Sequence, residues 1–141
     1  MSSIGGIIGI PFQAFYNASK FVLEGYAEAL AYQVEPFNIH VTLVEPGNVR
    51  TDFSANRRVL AASGHDAYKA AREKAISTME KDEVNGVDQR NVAKLVAKIL
   101  KSPKPPRRAS VGKLDERIGI LAKRLIPYRI FERAAKGRLG I

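Results

Sequence analysis

Tyr16 and Lys20 stand four positions apart in "FYNASKFVLEG", residues 15–25. Residues at i and i+4 share one face of a helix, and this face could do acid–base work. A free phenol ionises near pH ~10 and is a poor base at neutral pH. An ammonium a few ångströms away favours the phenolate. A tyrosine so placed can give a proton to a developing alkoxide or take one from an alcohol. A serine hydroxyl beside the same oxygen would fix its position. Ser3, with Ser2 before it, lies thirteen residues ahead of Tyr16, across a glycine-rich loop that could fold it back over the helix start. The same residues have a plainer reading, in which the tyrosine packs and the lysine is solvated. Spacing alone leaves both open.

The elements that must position these residues follow from pattern. "MSSIGGIIGIP" reads as a loop after the last residues of a strand. Residues 12–35 read as a helix, with Phe15, Ala18, Val22, Tyr26, Ala29 and Val34 near helical spacing. Pro36 ends it, because the residue before a proline is biased away from helix. Ile39, Val41, Leu43 and Val44 predict a buried strand over 38–45, stopped by Pro46-Gly47. Residues 52–64 read as a loop with a short helical turn, and 65–81 as a polar helix. A further helix runs from Val87 to about Lys101 with Asp88 as N-cap. "RRASVGK" is a candidate strand. Leu114 to Ile141 reads as one or two basic amphipathic helices broken near Pro127. The order of helices and strands is that of an α/β parallel sheet.

Composition narrows the class. The chain has 141 residues, 45% apolar, and no cysteine. That excludes disulfides, thiolate metal sites and cysteine nucleophiles, and fits a reducing, cytoplasmic setting. No run approaches the ~18 apolar residues of a membrane-crossing helix. Net charge is +9, and it is unevenly placed: −3 over residues 1–52, +3 over 53–100 and +9 over 101–141. A basic C-terminal feature is therefore expected, not a uniformly basic nucleic-acid binder. His40 and His65 are isolated and receive no role.

In combination the motifs are specific. A serine pair, a glycine-rich loop, "YNASK", and a buried strand ending in "PGNVRT" together resemble the short-chain dehydrogenase/reductase family. The resemblance is close over residues 2–51 and extends beyond by the order of elements. It implies an α/β fold, the C-terminal part of a Rossmann-like doubly wound parallel sheet. It also implies an oxidoreductase that uses NAD or NADP to interconvert an alcohol and a ketone or aldehyde, and a homo-oligomer at full length. "VEPFNIHVTLVEPG" looks most like the branch acting on steroids, retinoids and other bulky apolar substrates. By this resemblance Tyr16 would be the general acid/base. Lys20 would favour its phenolate and hold the nicotinamide ribose. Ser3 would orient the substrate oxygen. Pro46, Gly47, Val49 and Thr51 would line the nicotinamide end, with the Val49 backbone at the carboxamide. Phe53, with Val59, Leu60 and Tyr68, would either contact an apolar substrate or pack a surface helix pair.

The chain departs from the family at its start. The strand and glycine-rich turn that would receive the pyrophosphate have no counterpart, and "GGIIGIP" precedes the catalytic helix without a complete strand before it. Two or three strands are too few for an open parallel sheet covered on both faces. The sequence thus predicts the C-terminal half of an enzyme, one that folds poorly and binds no cofactor alone. Residues 1–112 would belong to the dinucleotide-binding domain, and 113–141 would be a basic amphipathic extension. That extension either lies on an anionic membrane surface or closes over the pocket or an oligomer surface. A non-catalytic interaction module that keeps these motifs as relics is the alternative function. Nucleic-acid binding has no recognition motif behind it.

Overall fold

The computed structural model describes residues 1–58 and 66–141. Val59, Leu60 and His65 lie outside the described residues. Helix α1 spans Ala14–Val34, and a 3-10 turn at Glu35–Phe37 carries Pro36 in its first turn. Asn38, at φ 58°, adopts the left-handed conformation that closes this end. The face that α1 buries is not the one its large apolar residues predict. Asn17, Glu24, Ala27 and Ala31 are buried, whereas Phe15, Val22 and Tyr26 are 78%, 71% and 64% exposed. The buried side of the helix is thus formed by two small alanines and two polar residues. The bulky residues point the other way.

Strand β1 spans Leu43–Pro46 and pairs in parallel with β2, Arg108–Val111, in the register Leu43↔Arg108 to Pro46↔Val111. The predicted strand over 38–45 is thus shorter and later than its apolar pattern suggests. Residues 38–42 form no ladder, and pairing begins where β2 begins. On the other edge of β1, the Ser2 N–H donates to Val44 O at 2.8 Å. The two serines therefore sit beside the strand that leads to Pro46-Gly47.

Helix α2 spans Asp66–Val84 and α3 spans Gln89–Leu100. Asp88 caps α3 by accepting from the Arg90 N–H at 2.8 Å, as its sequence position predicts. Helices α4, Leu114–Leu125, and α5, Tyr128–Leu139, form the C-terminal segment, with the break at Ile126-Pro127. Helix α5 lies on α2: Leu139 packs with Ala75 and Met79, and Ile10 of the N-terminal loop rests on this cluster. Arg138 reaches Asp82 at 3.5 Å and Asp115 at 3.3 Å. Among the described residues, no helix is long and apolar enough to cross a membrane.

Candidate active site

The N-terminal loop is folded onto the start of α1 by one buried side chain. Asn17 donates through Nδ2 to Gly5 O at 2.8 Å and to Ile8 O at 3.0 Å, and accepts from the Ile10 N–H at 3.2 Å. A loop of glycine and isoleucine has no polar side chains of its own, so its buried carbonyls need such a donor. Ser3 sits at the head of this loop. Its Oγ accepts from the Gly5 N–H at 3.0 Å and donates to Pro46 O at 3.3 Å. It thereby links the loop to the end of β1.

Tyr16 lies over Gly5. A Cβ there would come within 2.9 Å of Tyr16 Cε1 and 3.5 Å of Ser3 Oγ, so the absence of a side chain admits the ring. Phe53 meets the Tyr16 ring edge-on, with centroids 5.6 Å apart and planes at 64°. Lys20 Nζ stands 5.6 Å from the centre of the same ring and donates to Met1 O at 3.4 Å. The structure therefore brings Ser3, Tyr16, Lys20, Pro46 and Phe53 into one neighbourhood, with Gly47 next to it.

Val49 and Thr51 extend from that turn toward α2 and α3. Val49 forms a parallel bridge with Val87, in which the Arg50 N–H donates to Val87 O and the Val87 N–H to Asn48 O, both at 3.0 Å. The Thr51 hydroxyl donates to Glu83 Oε1 at 2.9 Å. The same carboxylate accepts from the Phe53 N–H at 2.8 Å and the Ser54 N–H at 2.9 Å. Burial alone would raise the pKa of Glu83, but these hydrogen bonds outweigh it and hold the group below its ordinary value. Tyr68, on α2, and His40, ahead of β1, are both exposed.

Behind the site lies a charge cluster that sequence patterns did not reveal. Arg108 Nε is 3.1 Å from Glu24 Oε2 and 3.5 Å from Glu45 Oε1, and its Nη2 is 2.7 Å from Glu28 Oε2. Glu24 lies one turn after Lys20, and Glu45 immediately precedes Pro46. Burial pushes the Glu45 carboxyl up to about 7, and Glu24 adds to this while Arg108 and Arg124 oppose it. On the exposed side, the Arg108 hydrogen bond, then that of Tyr32, holds Glu28 below its ordinary value.

Asn17, Glu83 and Glu116 (below) also escaped the sequence reading. The available signal for Asn17 was a polar residue within a helix that follows a loop with no donors of its own. Glu83 had none, because its partners lie about 30 residues away; Glu116 had only its local place at the start of α4, while Asn48 lies 68 residues away.

A parallel strand pair flanked by helices is an α/β arrangement of the Rossmann-like class, and Tyr16 and Lys20 stand one turn apart near the C-terminal end of its first strand. Comparison with known proteins agrees. Residues 1–60 match the family model described as short chain dehydrogenase. The chain is 39% identical over 137 residues to 3-ketodihydrosphingosine reductase of Bacteroides thetaiotaomicron, covering 96% of this chain and 51% of that protein. It is 34% identical over 121 residues to bovine (Bos taurus) retinol dehydrogenase 8, covering 77% and 37%. Among solved structures, a short-chain dehydrogenase from Streptomyces avermitilis superposes with a TM-score of 0.62 at 26% identity, covering 96% of this chain and 49% of that one. The chain belongs to the short-chain dehydrogenase/reductase family. It spans about half the length, or less, of these relatives.

Proposed function

We propose that this chain supplies the catalytic half of an NAD(P)-dependent oxidoreductase that interconverts an alcohol and a ketone or aldehyde. The observation that carries this reading is the grouping of Ser3, Tyr16 and Lys20 around the Pro46-Gly47 end of β1. The residues suit the nicotinamide–ribose end of the cofactor. Lys20 carries three N–H donors, and a long contact to Met1 O is its one hydrogen bond among the described residues, which leaves donors for ribose hydroxyls. The cofactor supplies or accepts the hydride. In reduction, the Tyr16 hydroxyl gives its proton to the carbonyl oxygen; in oxidation, its phenolate takes the proton of the alcohol. Lys20 stabilises that phenolate by its charge. Ser3 orients the substrate oxygen. Pro46, Gly47, Val49 and Thr51 line the nicotinamide.

Phe53, packed edge-on against Tyr16, offers an apolar wall for substrate. Two relatives are named for a ketone on a sphingoid base and for retinol. Both names support a bulky or long-chain apolar substrate here. The exposed bulky residues of α1, Phe15, Val22 and Tyr26, support a subunit contact in a homo-oligomer. A second reading concerns the tail. Leu114, Ile118, Leu121 and Leu125 form an exposed stripe on α4, in a segment with Arg117, Arg124 and Arg129. This favours peripheral contact with an anionic membrane surface.

The test uses the natural polypeptide that carries this sequence. Tyr16→Phe is expected to slow hydride transfer between NAD(P)H and an apolar ketone by about 10²-fold or more, with cofactor still bound. Unchanged turnover would overturn the proposal.

A further inference from the structure

Glu116 is a carboxylate only 5% exposed, in the first turn of α4, and its two oxygens are divided between two segments. Oε1 accepts from the Asn48 side chain at 2.6 Å and from the Asn48 N–H at 3.2 Å. Oε2 accepts from the Lys113 N–H at 2.9 Å, closing the end of α4. The carboxylate occupies the space just beyond the last β1–β2 pair, Pro46↔Val111, where the Gly47 N–H donates to Val111 O at 2.8 Å. A Cβ on Gly47 would overlap Oε2 and stand 2.8 Å from Glu116 Cδ; one on Gly112 would stand 2.5 Å from Oε2. The glycine that follows Pro46 thus leaves room for an acid brought in from 69 residues further along the chain.

Asn48 is held from a second side as well, since its carbonyl accepts from the Val87 N–H at 3.0 Å. Its peptide is therefore gripped between α4 and the approach to α3, and free rotation of the turn would break charge-assisted hydrogen bonds. Helix α4 also reaches the other half of the site. Lys123 donates to Ile7 O in the glycine-rich loop and lies 5.1 Å from the Phe21 ring of α1. Helix α5 approaches through Arg138, 4.0 Å from Glu116 Oε1 and 3.3 Å from Asp115.

We infer that Glu116 is a positioning residue: it clamps the Gly47-Asn48-Val49 turn to α4, so that the C-terminal segment sets the seat of the nicotinamide. This rests on the oxidoreductase reading above. The clamp acts on cofactor placement through Asn48 and touches no reacting atom.

The natural polypeptide labelled with ¹⁵N-asparagine tests the contact itself. The Asn48 amide and side-chain resonances are expected to shift in E116Q and to move far less in D115N, whose carboxylate meets Arg138 instead. Asn48 resonances unchanged in E116Q overturn the clamp. Kinetics test its consequence. E116A, with E116Q beside it should E116A fail to fold, is expected to raise the KM for NAD(P)H about tenfold, the loss of a charge-assisted hydrogen bond. The kcat at saturating cofactor stays within about twofold, a split that general loosening would not produce. An unchanged KM in a folded variant overturns the positioning role. If Tyr16→Phe left turnover intact, the oxidoreductase reading would fail while the Asn48 shift in E116Q still stood, so the two failures are distinguishable.

Discussion

Asn17 carries more of the site than its place inside "YNASK" suggests. One side chain satisfies the carbonyls of Gly5 and Ile8 and the N–H of Ile10. Without it the loop that presents Ser3 has unpaired buried polar groups, each costing ~1–3 kcal/mol. Asn17→Ala is therefore expected to lower the unfolding free energy by ~3 kcal/mol, measured in urea. A loss below ~1 kcal/mol would mean that water replaces these bonds. Tyr16 and Lys20 were legible as a pair because a helix fixes the i, i+4 relation locally. Asn17, one residue further along the same helix, was not, because its partners belong to a loop whose path the sequence does not state.

At the scale of elements, α1 exposes Phe15, Val22 and Tyr26 and buries Glu24, the reverse of an ordinary amphipathic helix. The carboxylate is tolerated there because Arg108 of β2 meets it. Glu45, from β1, joins the same cluster with its carboxyl pushed up to about 7. This has a definite consequence for stability. In the unfolded chain a glutamate ionises near pH ~4.3. Between that value and about 7, the folded protein keeps a proton that the unfolded chain has released. Stability therefore falls as pH rises through this window, and the full penalty is present above it. A gap of that size corresponds to at most ~4 kcal/mol. Urea unfolding at the two ends of the window should show the decline in the wild type and a much smaller one in Glu45→Gln. Equal slopes in the two proteins would exclude Glu45 as the titrating group.

Across the whole molecule, the C-terminal segment braces the loops that carry the candidate site. Glu116 and Lys123 bind the two loops around Tyr16, and Leu139 packs into the α2 cluster. Deleting the segment would disturb all three, so the membrane reading needs point changes on the exposed stripe instead. Ile118→Glu with Leu121→Glu is expected to reduce sedimentation with anionic vesicles several-fold, because two apolar anchors become charges of the same sign as the lipid. Equal pelleting of both proteins would remove the basis for membrane contact.

The sequence by itself determined what depends on near neighbours. Tyr16 and Lys20 share a face, Asp88 caps α3, Pro127 separates the last two helices, and "RRASVGK" forms the strand. The family was legible too, because its motifs occupy contiguous stretches. Tertiary structure alone decided which face of α1 is buried, that strand pairing starts at Leu43, that Glu45 joins Glu24 at Arg108, and that Glu83 and Glu116 reach the backbone at Phe53 and Asn48. Burial depends on what the fold brings opposite a residue, and the partners of these acids come from segments that only the folded chain places beside them.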